Sequence, residues 1–186
     1  MQDDRLSRAR AGDLDAFNDL VVEHQGTVYA LCYRLMGQRQ AAEDAAQEAV
    51  ISAWRGIAGL RGEAFRPWLL RIAANACRDE LRRRVRRPSG SLEVALEAGV
   101  PEPPTEVISP EGGLMQAELR RDLEEALAQL PEEQRTAVVL CDVEGLDYTE
   151  IAAAMSTSIG TVKSRIARGR GRLRALLSSK RELLAG

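Results

Sequence analysis

The chain has 186 residues with a single histidine and three cysteines, and both scarcities exclude chemistry. With His24 as the one imidazole, a His/Cys zinc site has almost no ligand supply. Cys32, Cys77 and Cys141 are odd in number and far apart, which argues against a disulfide framework. Reduced, buried thiols in a cytosolic protein are the natural expectation. No apolar run approaches the roughly 20 residues that cross a bilayer, so membrane insertion is not expected. The acidic, polar beginning of the sequence gives no expectation of a secretory signal. No run of alternating β-branched residues appears, which argues against a sheet. Neither a nucleophile triad nor a phosphate-cradling loop appears, so the expectation is a protein without enzymatic activity, metal or cofactor. Aromatic residues are only 4%, yet hydrophobic residues reach 45%, which is globular rather than disordered.

Net charge is also small. Lys and Arg number 26 against 28 Asp and Glu, a formal −2 that alone argues against a nucleic-acid binder. The charges are segregated, however. Residues 51–90 hold 10 basic and 3 acidic side chains, and residues 145–186 hold 8 and 3. The stretches 1–50, with 5 and 9, and 114–144, with 3 and 8, are acidic. Residues 91–113 carry 5 acids and no base. Two basic blocks therefore sit in an otherwise acidic chain, long enough for one ordinary domain or two small ones.

Nearly every segment repeats at helical period. A short helix over Asp3–Arg10 breaks at Gly12. Asp13 then caps a second helix through Phe17, Leu20, Val21, Val28, Leu31 and Leu35, ending at Gly37. A third spans about Arg39–Ala58 with Ala42, Ala46, Ala49, Val50 and Ala53 as its apolar side. After a glycine-bearing loop, Pro67 fits the first turn of a fourth, which runs through Trp68, Leu69, Ile72, Ala73, Ala76 and Leu81 into an arginine run. Residues 88–113 hold five prolines and no Lys or Arg, the composition of an extended linker, with a weak helix at Leu92–Glu97. A helix over Leu114–Gln129 and another opened by Pro131 follow. Asp147 and Glu150 form a capping box for a short helix, and after Ser156-Thr157-Ser158 a last helix runs from Ile159 to about Leu177. Its apolar positions are Val162, Ile166, Leu173 and Leu176. The fold class expected is all-α: modules at 1–87 and 114–186 joined by a linker at 88–113.

Three constellations bear on function. The last two helices have the form of a helix-turn-helix, whose second helix enters the DNA major groove. Away from its apolar stripe it shows Thr161, Ser164, Arg165, Arg168 and Arg172, flanked by Lys163, and Lys163–Arg174 holds six basic groups and no acid. Such a row suits guanine edges and phosphates; a solvated amphipathic face is the bland alternative. On the fourth helix Arg71, Asn75, Arg78, Arg82 and Arg86 recur at spacings of 4, 3, 4 and 4, beside a loop with Arg61 and the aromatics Phe65 and Trp68. Either these aromatics are exposed, for bases of melted strands to stack on, or they pack the core. Finally, Asp44 and Glu48 place two carboxylates one turn apart, with Glu43 and Gln47 beside them. Nothing around them supplies a pocket or metal for catalysis, so they are either a docking face for a basic partner or a solvated face.

These stretches resemble a known family. Ala16-Phe17, Leu20-Val21, Tyr29, Ala42-Glu43-Asp44-Ala45-Ala46-Gln47-Glu48, Ala53-Trp54-Arg55 and the run from Arg61 to Asn75 resemble region 2 of the sigma-70 family. Leu130-Pro131, the run from Glu144 to Ala152 and Gly160-Thr161-Val162-Lys163-Ser164-Arg165 resemble region 4. Their order, with a short linker in place of a third domain, is similar to the extracytoplasmic-function (ECF) sigma factors. The resemblance implies promoter recognition, DNA melting and transcription initiation with bacterial RNA polymerase core, through its β′ clamp helices and β flap. It implies that Asp44, Gln47 and Glu48 dock on the clamp. Arg61, Gly62, Glu63, Ala64, Phe65, Arg71, Asn75, Arg78 and Arg82 would serve the −10 element, with Asn75 and residues 61–65 near a flipped base. Lys163, Ser164, Ala167 and Arg168 would face the −35 bases, with Arg165 and Arg172 in the same row and Tyr148 and Thr161 at the backbone. An anti-sigma factor is a further partner that the resemblance brings. Ser156 stands where relatives often carry Gly, so its backbone either avoids positive φ or is strained there. The linker spans at most about 86 Å at roughly 3.3 Å per residue, beyond two duplex turns of about 34 Å each. The rival readings are a helix-turn-helix regulator that binds duplex DNA without core polymerase, and an adaptor that binds only proteins.

Overall fold

The computed structural model describes residues 2–62, 64–86 and 113–185. Glu63, the side chain of Arg86 and the weak helix at Leu92–Glu97 lie outside the described residues. The chain divides into two compact units, residues 1–104 and 105–186, and every described element is a helix or a turn.

The first unit is built from α1 (Gln2–Arg10), α2 (Leu14–Met36), α3 (Arg39–Gly56) and α4 (Phe65–Arg86). Asp13 fixes the α1–α2 corner. Its carboxylate accepts from the Ala16 amide at 3.0 Å and from the Arg8 guanidinium at 2.9 and 2.6 Å. The amide bond first, and Arg8 second, hold this carboxyl below its usual range. Gly37 closes α2 in the left-handed region at φ 69° and donates to the Tyr33 carbonyl. The apolar side of α3 is turned from the expected one. Ala41, Ala42, Ala45, Ala49 and Ala53 are buried, while Ala46 and Val50 are half-buried. Alanine on several faces leaves the period ambiguous, and packing against both α2 and α4 selects the face. The end of α3 tightens into a 3-10 turn at Ile57–Gly59 rather than continuing as α-helix to Ala58.

Phe17, Leu20, Leu31, Leu35, Leu69 and Leu70 fill the core of this unit. The two Phe and two Trp side chains join in one cluster. Phe17 lies 5.0 Å from Trp54 and 6.3 Å from Phe65, and Phe65 lies 5.8 Å from Trp68. Cys32 of α2 and Cys77 of α4 are buried free thiols hydrogen-bonded to each other, and that hydrogen bond, with burial second, pushes the Cys32 thiol far up. Cys141, in the second unit, is free but only half-buried.

The second unit comprises α5 (Gly113–Ala128), α6 (Glu132–Val138), α7 (Tyr148–Met155) and α8 (Ile159–Ala185). Below Val138 the helix widens into a π turn over Val139–Val143, closed by the Glu144 amide on the Val139 carbonyl at 3.0 Å. The capping box opens α7 as expected: Asp147 accepts from the Thr149 and Glu150 amides, and the Glu150 carboxylate accepts from the Asp147 amide. At its other end Ser156 takes φ 50°, ψ 50°. The Ser156 amide bonds the Ala153 carbonyl and the Thr157 amide bonds the Ala152 carbonyl, a Schellman closure. Of the two alternatives at Ser156, strain is the one realised, and a side chain there costs roughly 1 kcal/mol relative to glycine. Ser158 caps α8 by accepting from the Thr161 amide at 3.1 Å. The helix runs beyond Leu177, and Lys180 in this extension reaches Asp122 at 2.5 Å and Glu125 at 2.6 Å on α5.

Gly169 governs how α6 and α8 meet. A Cβ at this position would stand 2.6 Å from Val138 Cγ2 and 3.3 Å from the Gln134 carbonyl oxygen. Replacing Gly169 with alanine should therefore destabilise the second unit by about 1–2 kcal/mol, the clash outweighing alanine's helix preference of about 1 kcal/mol. Hydrogen exchange on the full chain checks this: amides of α6–α8 lose protection while those of α2–α4 keep theirs. Unchanged protection across α6–α8 would show that the helices separate freely.

Candidate nucleic-acid interface

The outer face of α8 is a row of cations with their supports. Lys163, Ala167, Arg168 and Arg172 are exposed, while Thr161 and Ser164 are half-buried. The Ser164 hydroxyl donates to the Thr161 carbonyl at 2.9 Å, so its lone pairs face outward while its proton is engaged. Lys163 stands 5.9 Å over the ring of Tyr148, which joins the expected backbone-touching tyrosine to the expected base-facing lysine. Val162 and Ile166 are buried against the rest of the unit and fix the rotation of the helix.

Two arginines of this row are engaged within the protein. Arg165, expected to stand outward with Arg168 and Arg172, is drawn back: its guanidinium lies 2.5 Å from Glu133 on α6 and its side chain is only 17% exposed. Arg170 makes a two-pronged contact with Asp142 at 3.0 and 2.5 Å, which holds that carboxyl below its usual range. Sequence reasoning missed Glu133, Asp142 and Arg170, which form these ion pairs. They are 28 or more positions apart in each pair, and no periodic signal joins residues across that distance.

On α4 the basic stripe is mixed. Arg82 is exposed, whereas Arg71, Asn75 and Arg78 are half-buried, and Arg78 donates to the Asn75 side-chain Oδ1 at 2.6 Å. Arg83 and Arg84 pair with Glu80, and Arg84 also donates to Gln38 at the head of α3. Arg61, Gly62 and Ala64 are exposed in the preceding loop, with Gly62 at φ 71°. The aromatics settle into the core alternative. Phe65 is 3% exposed and Trp68 7%, so both pack in the core rather than present an open stacking face. Phe65 begins α4, and Asn75 lies about 15 Å further along the axis at 1.5 Å per residue. The loop thus stands on the aromatic cluster, while Asn75 belongs to the middle of the helix.

The carboxylates of α3 project from an exposed ridge. Asp44, Glu48 and Ser52 of α3 face a cleft with Asn75 and Asp79 of α4 across it. Gln47 faces the opposite groove, with Val21, Tyr29, Ala46 and Val50. Gln40 donates to Asp44 at 3.1 Å and Ser52 to Glu48 at 3.3 Å, short helical bonds that hold the carboxylates without neutralising them. Among the described residues no three His, Cys, Asp or Glu side chains are grouped to hold a metal ion, and no helix is long and apolar enough to cross a membrane.

Comparison with known proteins decides between the readings. The family model for Sigma-70 region 2 matches residues 20–87, and that for Sigma-70, region 4 matches residues 120–173. The RNA polymerase sigma-H factor of Pseudomonas aeruginosa is 40% identical over 174 residues, covering 91% of this chain and 90% of its own. The ECF RNA polymerase sigma-E factor of Escherichia coli K12 is 40% identical over 169 residues, covering 89% and 88%. The chain belongs to the ECF sigma factors of the sigma-70 family. Among solved structures, the sigma factor RpoE in complex with the anti-sigma factor NepR from Bartonella quintana is similar at a TM-score of 0.67 and 28% identity, covering 89% of this chain and 98% of that one. CnrH in complex with the cytosolic domain of CnrY is similar at 0.64 and 28%, covering 94% and 96%. This sigma factor is an RNA polymerase subunit for promoter recognition, and its all-α fold is that of its relatives.

Beneath the loop of this sigma factor, His24 stacks 5.7 Å from Phe65, and among the described residues its buried Nε2 has no hydrogen-bond partner. Burial first, then Arg66 and Arg5, push the imidazole below its ordinary 6.5, against the opposing pull of Glu23. The unfolded chain therefore binds the proton first, and stability from this group, full above 6.5, is lost as pH falls through the lower folded value. A His24→Phe variant should show a flatter loss of first-unit stability between about pH 7 and 5 in urea unfolding followed by Trp fluorescence. Parallel pH profiles for the two proteins would remove His24 from this role.

Proposed function

We propose that this sigma factor docks on the β′ clamp helices of bacterial RNA polymerase core through Asp44, Gln47 and Glu48 and then reads two promoter elements with its two units. Lys163, Ser164, Ala167 and Arg168 face the bases of the −35 element, and Arg172, Tyr148 and Thr161 position the backbone. Arg61, Gly62 and Ala64 of the loop, Glu63, and Arg71, Asn75, Arg78 and Arg82 of α4 serve the −10 element and hold its melted strands. The second unit also meets the β flap. The chain works by binding rather than by catalysis, in the cytoplasm, with residues 1–87 and 114–186 as functional modules and 88–113 as tether.

The observation that carries this reading is the division of charge by surface. An exposed carboxylate ridge on α3 and an exposed cation row on α8 belong to separate units of one chain. Opposite signs on separate surfaces suit two different partners, one basic and one polyanionic. Two related structures hold partner proteins, one of them named an anti-sigma factor, which supports an anti-sigma partner here as well.

Transcription by purified core polymerase with and without the chain, followed by run-off mapping of start sites, tests the assignment. Promoter-dependent starts are expected only with the chain, and their upstream sequences give both elements. The double substitution Asp44→Arg, Glu48→Arg should weaken core binding by about tenfold, ~1.4 kcal/mol, while leaving the full chain's affinity for duplex DNA unchanged or higher. Equal weakening of core and DNA binding would reject separate surfaces. DNA binding at promoters without any need for core would favour the regulator that acts alone.

A further inference from the structure

The −35 reading gives Arg165 no contact of its own, although it lies on the same face as Arg168 and Arg172. Positions 161, 165, 168 and 172 fall at spacings of 4, 3 and 4, one face of α8. Arg168 and Arg172 are exposed on it, yet Arg165 is 17% exposed and bound at 2.5 Å to Glu133, whose own side chain is 66% exposed. Gly169 brings α8 onto α6 at Val138 and the Gln134 carbonyl, immediately beside Glu133. The pair is thus a product of the helix approach rather than a chance meeting of two loose side chains.

We propose that Glu133 determines the selectivity of −35 recognition by holding Arg165 away from DNA phosphates. This rests on the assignment of α8 to the −35 element. A guanidinium free on this face adds a phosphate contact of the kind that strengthens binding to any sequence. Tying it to a carboxylate removes that contact and leaves a negative group beside the row, which opposes the phosphate backbone. Base-facing Lys163, Ser164, Ala167 and Arg168 then supply a larger share of the binding, and the ratio of specific to non-specific affinity rises. Arg165 is a phosphate-competent side chain kept in reserve, and Glu133 is a positioning residue that acts through it.

The experiment measures binding of the holoenzyme, core polymerase with the full chain, to a duplex carrying the mapped promoter and to one with the −35 element scrambled, across about 50 to 200 mM salt. For Glu133→Gln we expect the slope of log affinity against log salt to steepen by about 0.9, an extra loss of roughly threefold to fourfold over that range. Scrambled DNA should gain more than the promoter at low salt, so discrimination falls. Glu133→Asp, which keeps the carboxylate, should restore the wild-type slope and discrimination, a rescue that a general loss of packing would not give. Arg165→Ala should leave the wild-type slope unchanged, and in the Glu133→Gln background it should abolish the steepening. A slope for Glu133→Gln equal to wild type, or a slope lowered by about 0.9 in Arg165→Ala alone, overturns the proposal. A wild-type holoenzyme that binds both duplexes equally overturns the −35 assignment and this inference with it.

Discussion

The closeness of helix to helix is the constraint from which the rest of this sigma factor follows. In the second unit Gly169 lets α8 lie on Val138 and the α6 backbone, and no larger residue fits without displacement. In the first unit an alanine face, Ala41, Ala42, Ala45, Ala49 and Ala53, lets α3 pack between α2 and α4. Short interhelical distances bring long polar side chains of adjacent helices within reach of each other at the rim. Arg165 meets Glu133, Arg170 meets Asp142, and Arg84 meets Gln38. The orientation of these surfaces is inherited from small residues buried between the helices.

The scarce aromatics complement those small residues. Phe17, Trp54, Phe65 and Trp68 are gathered in one cluster rather than spread through the core. Because Phe65 is the first residue of α4, the cluster fixes where the loop 61–64 ends and the helix begins. Among the described residues of that loop, Arg61, Gly62 and Ala64 are exposed, and none is aromatic. Under the proposed −10 role, strand capture in this unit depends on cations and loop shape more than on stacking, with Arg82 exposed and Arg71 and Arg78 half-buried.

What the sequence made legible was local. Asp13 and Asp147 caps, the Gly37 stop, Pro67 in a first turn and the cations of α8 all depend on chemistry within one or two helical turns, and each stands where the spacing put it. The face of α3 was not legible, because alanine at 41, 42, 45, 46, 49 and 53 fits more than one rotation and only the neighbouring helices choose. The π turn at Val139–Val143 has no propensity signal in the sequence. The length of α8 depends on Lys180 and its acidic partners on α5, far away in sequence. Phe65 was ambiguous for a related reason: a lone aromatic beside a basic loop reads equally as a stacking platform or as an anchor, and burial decides.

Charge shows why a net value near zero misleads in such a protein. The acids do three different things. Some remain exposed as a surface, as Asp44 and Glu48 do on α3. Some bind arginines of the same unit, as Glu80, Asp142 and Glu133 do. Others cap helices, as Asp13 and Asp147 do, and so contribute to the fold rather than to any long-range field. The second group bears on the proposed selectivity, because Glu133 and Asp142 each engage a cation of α8. A DNA-reading helix with all six of its cations free would bind strongly and indiscriminately, since phosphate contacts carry no sequence information. One in which acids from neighbouring helices hold some of those cations binds more weakly but is governed more by base edges. In this chain the near balance of 26 bases and 28 acids is therefore a distribution of restraint across its surfaces, and neutrality in sum is compatible with a strongly cationic reading face.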